Sequence, residues 1–285
     1  MKHILLNEHL RSKFGERVQR ISLDPGFVCP NRTEERGACI FCDEDGSASP
    51  WLRKGMSITQ QLERGAKFAF RRYKAKKYIA YFQAYTTTNA TAEELEKIYE
   101  EALCFPGVVG IAISTRPDAL SDEVVSVLEK YSKKTYLWVE LGAQSMNNKS
   151  LLWMNRGHSS EIFSEAVKRL KSKGIEVVGH IIFGLPIESE TETIDSFKKF
   201  IETGLDGYKI HALHIIKGTT LAKMYEDKPF KLLSLDEYIS LVRKALSLTP
   251  SNIVIHRLTG EVDETRLLAP AWIREKNDII RRILE

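Results

Sequence analysis

The sequence has no apolar run of about eighteen residues and no basic segment followed by an apolar leader at its N-terminus. We therefore expect neither a membrane span nor an export signal. Cysteine is scarce as well, with four residues in 285, and three of the four fall within fourteen positions. Such uneven placement argues against a disulfide framework and favours a reducing, cytoplasmic compartment. A chain of this length buries about three quarters of its extended surface, so its stability requires no metal or disulfide.

Internal repeats, low-complexity tracts and linkers are also absent between residues 18 and 218, where apolar strand-like runs alternate with amphipathic segments. This alternation is typical of repeated βα units around a parallel sheet. The expected strands are residues 18–24, 78–84, 108–114, 136–142, 175–183 and 207–214. The sequence therefore predicts an α/β fold, a partial (β/α)6 TIM-type barrel with an N-terminal arm, over residues 1–218. From 219 to 285 the rhythm fades, which indicates an α-rich C-terminal extension that packs on or closes the barrel.

Helix-capping signals agree with these units. Ser57 with Gln60 and Thr91 with Glu94 have the spacing of capping boxes, and Ser121 can cap the helix that follows. The connections are short, as in compact α/β barrels.

Cys29, Cys39 and Cys42 form a C-x9-C-x2-C array on one predicted loop. Thiolates are soft ligands for zinc or iron-sulfur clusters. Three of them can bind three irons of a four-iron cluster and leave the fourth iron without a protein ligand. A structural zinc site or a ferredoxin-type cluster would need a fourth ligand, from Cys104 or one of the seven histidines. Cys104 lies in a predicted helix before Phe105, where a buried apolar role is commoner.

The segment from Cys39 to Cys42 matches the second half of the C-x3-C-x-aromatic-C signature of the radical S-adenosylmethionine (SAM) superfamily. The ten-residue step from Cys29 departs from the commonest spacing and resembles that of the Elongator catalytic subunit and its bacterial relatives. Further stretches resemble the YhcC/YtqA (MnmL) family of this superfamily: QAY, STRPD, ELGAQS, MNRGH, FGLP, HIIKGT, HRLTGE and LAPAW. Together they cover nearly the whole chain.

The resemblance implies a barrel of the radical SAM class in which Cys29, Cys39 and Cys42 bind three irons of a [4Fe-4S] cluster. The amino and carboxylate groups of SAM would chelate the fourth iron, with Phe41 beside the cofactor. One electron from a reductant such as flavodoxin or ferredoxin would then split a carbon-sulfur bond of SAM and form a 5′-deoxyadenosyl radical. The protein would have to present one substrate hydrogen to this radical and exclude competing reactions.

Candidate contacts to SAM follow the ends of predicted strands, where the catalytic groups of βα barrels gather. Gln83 and Tyr85 stand where many members of the superfamily carry a Gly-Gly-Glu motif that receives the methionine amino group. This chain lacks those glycines, and Gln83 can equally satisfy loop backbone. Ser114 matches a position that binds the ribose.

Three more residues match positions that contact SAM in the superfamily. Gln144 and Arg156 correspond to residues that hold the methionine carboxylate, for which the planar guanidinium fork is well suited. Ile182, within the run HIIFGLP, lies on the fifth predicted strand, whose backbone and apolar side chains would pack the adenine. An apolar strand followed by a glycine turn is also an ordinary component of a barrel.

Candidate catalytic residues are Glu140, His214 and Lys217. Glu140 lies on a predicted buried strand, where an unpaired carboxylate is costly, so it needs a partner or a catalytic role. Arg116 is the expected partner. His211 and His214 cannot share a face unless the sixth strand has ended, so one of them is expected to point inward. Lone histidines are more often packing residues than catalysts, although imidazoles readily transfer protons.

The resemblance implies action on the wobble uridine of transfer RNA (tRNA), with conversion of a 5-carboxymethylaminomethyl group to 5-aminomethyl. Lys217, Arg257 and His214 are candidates to hold the substrate carboxylate. The net charge of +4 permits a polyanionic partner, and basic residues crowd positions 67–77. These cations can meet phosphates or simply complement a helix dipole. Two alternatives stay open: a radical SAM enzyme acting on a small metabolite such as a tetrapyrrole, and a non-catalytic, zinc-stapled nucleic-acid-binding protein.

Overall fold

A computed structural model describes residues 3–35, 37–44, 46, 52, 55–260 and 262–285. Its centre is a curled, open barrel of eight parallel strands. The described strands, in chain order, are β1 (Ile4–Leu5), β2 (Val18–Leu23), β3 (Lys77–Phe82), β4 (Val108–Thr115), β5 (Tyr136–Gln144), β6 (Glu176–Phe183), β7 (Gly207–Ala212), β8 (Ile215–Ile216), β9 (Val254–Arg257) and β10 (Leu267–Ala269). Neighbours in the barrel follow the order β1-β9-β7-β6-β5-β4-β3-β2, so β1 and β2 form the two open edges.

Most of the described helices pack on the outer face of the sheet. The described helices are α1 (Leu6–Phe14), α2 (Ile58–Tyr73), α3 (Ala92–Leu103), α4 (Asp122–Ser132), α5 (Asn148–Trp153), α6 (Ser160–Ser172), α7 (Glu190–Glu202), α8 (Thr220–Asp227), α9 (Leu235–Leu248) and α10 (Lys276–Leu284), with a 3-10 turn at Ala271–Arg274. Among the described residues, none of these helices is long and apolar enough to cross a membrane.

The six predicted strands are confirmed as β2 to β7, and so is the TIM-type α/β fold. Both predicted capping boxes are present, at Ser57 with Gln60 and at Thr91 with Glu94. The Ser121 side chain accepts a hydrogen bond from the backbone of Val124, as expected of a helix cap. The sixth predicted strand ends at Ala212, two residues earlier than expected, so His214 lies beyond it.

Alternation along the strands separates an outer face from an inner one. Outward side chains such as Phe82, Val139 and Ile210 pack under the helices in the main core. On the inner face, Trp138 and Val178 join Leu6 and Leu10 of α1 in a second apolar cluster. The N-terminal arm therefore closes the barrel at the edge where the strands begin.

The C-terminal extension contributes directly to the barrel. Its strand β9 lies between β7 and β1 and pairs in parallel with both. Strand β10 pairs antiparallel with β8, outside the barrel sheet. The extension therefore supplies a strand of the central sheet.

The basic residues at positions 67–77 lie at the end of α2 and the start of β3. A helix that connects two parallel strands runs back across the sheet, so its C-terminus meets the edge where strands begin. Lys77 there bonds the Phe14 carbonyl at 3.1 Å and lies 3.1 Å from Glu16. This basic group therefore sits at the opposite end of the barrel from the cysteine loop.

Candidate active site

The cysteine loop follows β2 at the edge of the sheet where the strands end. Cys39 is buried, and Cys29 and Cys42 are partly exposed. The backbone N–H of Cys42 donates to the Cys39 carbonyl at 2.9 Å, which turns the chain between these two cysteines. Ile40 bonds the Met154 carbonyl at 3.1 Å and accepts from Leu221 at 2.8 Å, so the loop is fastened to two other segments.

Cys104 was expected to be buried, and this expectation is wrong. It caps α3 and its side chain is exposed, whereas the sequence indicated a buried apolar role. The preceding helix buries Leu95, Tyr99 and Ala102, and Cys104 falls just past this apolar face. Its position at the end of α3 also places it at the edge where β4 begins, away from the other cysteines.

N–H groups point at two of the three loop sulfurs. Cys39 Sγ accepts from Asn31 Nδ2 at 3.4 Å and from Arg156 Nη1 at 3.6 Å. Cys42 Sγ accepts from Arg32 Nη2 at 3.4 Å. Donors of this kind stabilise negative charge on sulfur, so the residues present fit an anionic iron-sulfur cluster.

Burial favours the neutral form of the Cys42 thiol. Burial, and then the neighbouring Cys39, raise the pKa of the Cys42 thiol to about 11, against the lowering effect of Arg32. A bound cation would have to displace such a proton, since the thiolate is the ligand form. Within the described ranges, no three His, Cys, Asp or Glu side chains converge as ligands of one metal ion. Thiolates of a four-iron cluster bind separate irons and need no such convergence.

The structure brings Gln144 and Arg156 together beside this loop. Arg156 Nη2 donates to the Gly142 carbonyl at 2.8 Å, and Arg156 Nε is buried with no hydrogen-bond partner among the described residues. A Cβ on Gly142 would lie 2.7 Å from both Arg156 Nη2 and Gln144 Nε2. Glycine at 142 therefore lets the two polar side chains approach the end of β5.

Gln83 and Tyr85 stand at the end of β3. Gln83 bonds β2 through its backbone, to the Leu23 carbonyl at 3.2 Å, and its side chain lies 3.4 Å from Ser22 Oγ. Tyr85 donates its hydroxyl to the Glu44 carbonyl, and its backbone φ is 55°. The tyrosine therefore rests on the cysteine loop.

Positive φ angles cluster at this edge. Tyr85, Gln144 and Asn155 adopt φ values of 55°, 69° and 52°. Non-glycine residues rarely take this conformation outside helix ends, and it is concentrated at functional sites. Gln144 ends β5, and Tyr85 and Asn155 lie in loops at the same edge of the sheet as the cysteines.

The remaining predicted cofactor contacts fall on the same side of the barrel. The backbone carbonyl of Ser114 accepts from Thr87, whose N–H and hydroxyl lie at 3.3 and 2.9 Å. Phe41 packs on the apolar cluster that contains Ile182 and Leu213. An apolar wall thus stands next to the polar ends of β3 to β5.

Glu140 has partners, but Arg116 is not one of them, so that expectation is wrong. Its carboxylate accepts from Tyr81 Oη at 2.6 Å, Trp138 Nε1 at 2.9 Å, His180 Nε2 at 2.8 Å and the Lys209 ammonium. The alternation of β5 turns Glu140 into the barrel, where neighbouring strands supply these donors.

Arg116 instead follows the end of β4 and joins the cysteine edge. It makes two hydrogen bonds of 2.8 Å to the Asp118 carboxylate and one of 2.8 Å to the Arg156 carbonyl. Burial lowers the pKa of Arg116, but the hydrogen bond to Asp118 and the charge of that carboxylate outweigh this effect. The pKa of Arg116 is therefore raised, with smaller contributions from Cys29 and Cys39. Arg116 therefore ties the loop after β4 to the loop that carries Arg156.

The sequence analysis predicted Glu140 as a candidate but not the residues that surround its carboxylate. These residues, here called the Glu140 cluster, are Tyr81, Trp138, His180 and Lys209. Burial alone would raise the pKa of Glu140. The charge of Lys209, and then the hydrogen bond from His180, instead hold this pKa well below its usual range. Burial, and then Lys209, lower the pKa of His180 to about 4. The sequence could have indicated His180 and Lys209, because each places an imidazole or a charged side chain at an inward position of an otherwise apolar strand.

Near the end of β7, His211 and His214 face different surroundings. His211 Nε2 is buried without a hydrogen-bond partner among the described residues, and its ring lies 5.3 Å from His180. His214 Nδ1 lies 2.9 Å from the Ala212 carbonyl. Burial is the main cause that lowers the pKa of His211, and the charge of Arg257 is the second. Burial also lowers the pKa of His214, with a smaller contribution from Arg257.

Lys217, a candidate substrate contact, lies directly after β8. It is exposed, and its ammonium donates to the Thr265 carbonyl at 3.1 Å. Its backbone N–H donates to the Arg266 carbonyl at 2.9 Å, and Arg266 lies 3.2 Å from Asp43. Lys217 therefore fastens the segment after β8 to the extension, and Arg266 of the extension contacts the cysteine loop.

Two family models match consecutive parts of this chain. Residues 25–201 match the Radical SAM superfamily, and residues 205–285 match the Radical_SAM C-terminal domain. The chain belongs to the radical SAM superfamily. It is therefore a radical SAM enzyme, as predicted.

Relatives narrow the family further. This radical SAM enzyme is 39% identical to "Uncharacterized protein YtqA" of Bacillus subtilis over 98% of this chain and 87% of that protein. YhcC of Escherichia coli aligns with 94% of this chain, which confirms the YhcC/YtqA family. The tRNA uridine(34) acetyltransferase of Methanocaldococcus infernus is 31% identical over 68% of this chain and 36% of its own length.

A solved structure shares the fold of this radical SAM enzyme. Elp3 of Methanocaldococcus infernus superposes with a TM-score of 0.72 at 20% identity, over 93% of this chain and 63% of that one. At this identity the likeness concerns the fold alone.

Proposed function

We propose that this enzyme binds a [4Fe-4S] cluster through Cys29, Cys39 and Cys42, with SAM at the iron that lacks a protein ligand. The observation that carries the proposal is the set of N–H groups aimed at Cys39 and Cys42. Bound there, cluster and cofactor supply a one-electron cleavage that yields a radical able to remove a hydrogen atom from substrate.

The residues at the strand ends hold SAM in this proposal. Arg156 and Gln144 bind the methionine carboxylate, supported by the buried, unpartnered Nε of Arg156. Gln83 and Tyr85 receive the amino group through backbone carbonyls, and Ser114 binds the ribose.

Apolar residues bind the adenine in this proposal, and contacts of the extension limit the entry of water. Phe41 and Ile182 pack the adenine, because both border one apolar cluster beside the cysteine loop. The loop, β8 and the extension are joined by the contacts of Lys217 and Arg266, which restricts the entry of water.

The proposed substrate is the wobble uridine of tRNA carrying a 5-carboxymethylaminomethyl group, which becomes 5-aminomethyl. The relative whose name specifies uridine 34 of tRNA supports this class of substrate. The abstracted hydrogen would come from the methylene beside the carboxylate. One-electron oxidation of the resulting carbon radical by the oxidised iron-sulfur cluster would leave an imine, and water would hydrolyse its carbon-nitrogen bond to give the 5-aminomethyl amine and a two-carbon oxoacid. Small redox proteins such as flavodoxin or ferredoxin supply the electron.

Groups inside the barrel hold the substrate carboxylate. Arg257 and His214 are the candidates, together with His211, whose buried Nε2 is available for a hydrogen bond. Glu140 acts as a positioning residue through His180 and Lys209. Lys217 contributes by fastening the extension.

Two measurements test this function. Anaerobically purified protein should contain about four irons and four sulfides per chain, and with dithionite and SAM it should release 5′-deoxyadenosine. Nucleoside analysis of tRNA from cells lacking the protein should show that the 5-carboxymethylaminomethyl nucleoside accumulates. Cofactor cleavage with an unchanged nucleoside profile would redirect the assignment to a small metabolite, and a colourless zinc protein would refute the enzyme chemistry.

Arg156→Ala should retain iron but bind SAM about 10- to 160-fold more weakly, since a hydrogen bond to a charged group contributes about 1.5–3 kcal/mol. Anaerobic calorimetric titration with SAM measures the change. Arg169→Ala is the matched control, because Arg169 pairs with the exposed Asp122 on the outer surface. Wild-type affinity in Arg156→Ala would remove Arg156 from the cofactor site.

A further inference from the structure

The three loop cysteines differ in the hydrogen bonds that their sulfurs receive. Cys39 Sγ accepts from Asn31 and Arg156, and Cys42 Sγ accepts from Arg32. Of these three donors, Asn31 alone carries no charge. It is 6% exposed, so its amide acts in a region of low dielectric constant.

The orientation of the Asn31 amide is fixed by a neighbouring loop. Asn31 Nδ2 also donates to the Asn155 backbone carbonyl at 2.8 Å, which can only accept, so the nitrogen must face that side. Gly157, with φ at 78°, leaves the space for this side chain, because a Cβ there would overlap Asn31 Oδ1. The N–H directed at Cys39 is therefore preorganised by the loop that carries Arg156.

We propose that Asn31 is a positioning residue that raises the reduction potential of the cluster held by Cys39. The inference rests on the proposed function, since it requires a cluster on the three cysteines. A reduced cluster carries one more negative charge, part of which resides on the thiolate sulfurs. An N–H donor stabilises that form more than the oxidised form, and potentials of iron-sulfur clusters depend on such bonds.

The test is a redox titration followed by electron paramagnetic resonance on the full-length, anaerobically reconstituted protein. Asn31→Ala should decrease the ratio of reduced to oxidised cluster about tenfold at a fixed potential, which for one electron equals a midpoint about 59 mV lower. Asn89→Ala is the control, because Asn89 Nδ2 donates to the Val28 carbonyl at 2.9 Å, one residue before Cys29, and not to sulfur. A wild-type midpoint in Asn31→Ala, or the same decrease in Asn89→Ala, would overturn the proposal.

A second measurement remains decisive if Asn31→Ala fails to retain iron. Wild-type protein labelled with 15N at asparagine should show a nitrogen hyperfine coupling to the reduced cluster in pulsed resonance spectra. Absence of that coupling would refute the contact. Wild-type protein that assembles no cluster would sink the proposed function itself, whereas equal midpoints in proteins that contain a cluster would sink this inference alone.

Discussion

Replacement of Cys29, Cys39 or Cys42 singly by alanine should abolish the visible absorbance of the cluster and the release of 5′-deoxyadenosine. Each thiolate is proposed to bind a different iron, so two remaining ligands cannot hold the cluster. Iron and sulfide analysis of anaerobically reconstituted variants measures the loss. The fold should persist in the same variants, because the barrel core is formed by strands and helices outside this loop.

Cys104→Ala is the control for these substitutions. Cys104 is exposed at the end of α3, at the opposite end of the barrel from the loop. This variant should retain full iron content and cofactor cleavage. Intact cluster in any of the three loop variants, or loss of iron in Cys104→Ala, would show that the ligand assignment is wrong.

Glu140→Ala should lower the free energy of unfolding by about 3–5 kcal/mol, the usual effect of removing one partner from a buried ion pair. Glu140 is fully buried, and its loss leaves Lys209 and His180 without their carboxylate inside the barrel. Urea unfolding of the wild type and the variant measures the difference. Glu140→Gln, which keeps the shape and removes the charge, should also be destabilised.

Glu129→Ala provides the matched comparison on the surface. Glu129 pairs with Lys133 at 2.8 Å and Lys173 at 3.0 Å, in contact with solvent. Its unfolding midpoint should stay close to that of the wild type, because exposed ion pairs contribute little. Equal stability of Glu140→Ala and Glu129→Ala would contradict a structural role for the buried cluster.

The contribution of Glu140 should also depend on pH in a defined direction. Its pKa in the folded protein lies well below the ordinary value of 4.5. A lowered carboxylate pKa gives stability that is present above the unfolded pKa and lost as the pH falls through the folded pKa. The stability difference between wild type and Glu140→Ala should therefore be constant near neutral pH and shrink below about pH 4.5.

Local patterns account for what the sequence predicted correctly. Apolar runs of six to nine residues between capped amphipathic segments marked β2 to β7. The spacing of Ser57 with Gln60 and of Thr91 with Glu94 marked helix starts, since a capping box involves only neighbours in the chain. These features depend on interactions within a few residues, which a sequence displays directly.

The errors concern pairs of residues that are distant in sequence. Arg116 was expected to pair with Glu140, yet it bonds Asp118, and Glu140 bonds Lys209 from a strand far along the chain. Strand β9 of the C-terminal extension pairs with β7, a position in the sheet that the sequence analysis did not predict. Such contacts follow from strand order and register, which periodicity does not reveal.

By itself, the sequence determined the βα order, the family and the three thiols on one loop, because each is written in consecutive residues or in a short spacing. Only the tertiary structure decided which side chains meet. It brought Arg156 to Cys39 from a loop 117 residues along the chain and gathered the donors around Glu140 inside the barrel. The physical reason is that the register between parallel strands, and the inward direction of alternate side chains, determine which side chains become neighbours in the closed sheet. Hydrogen bonds and buried charges can pair only once the side chains are within contact distance.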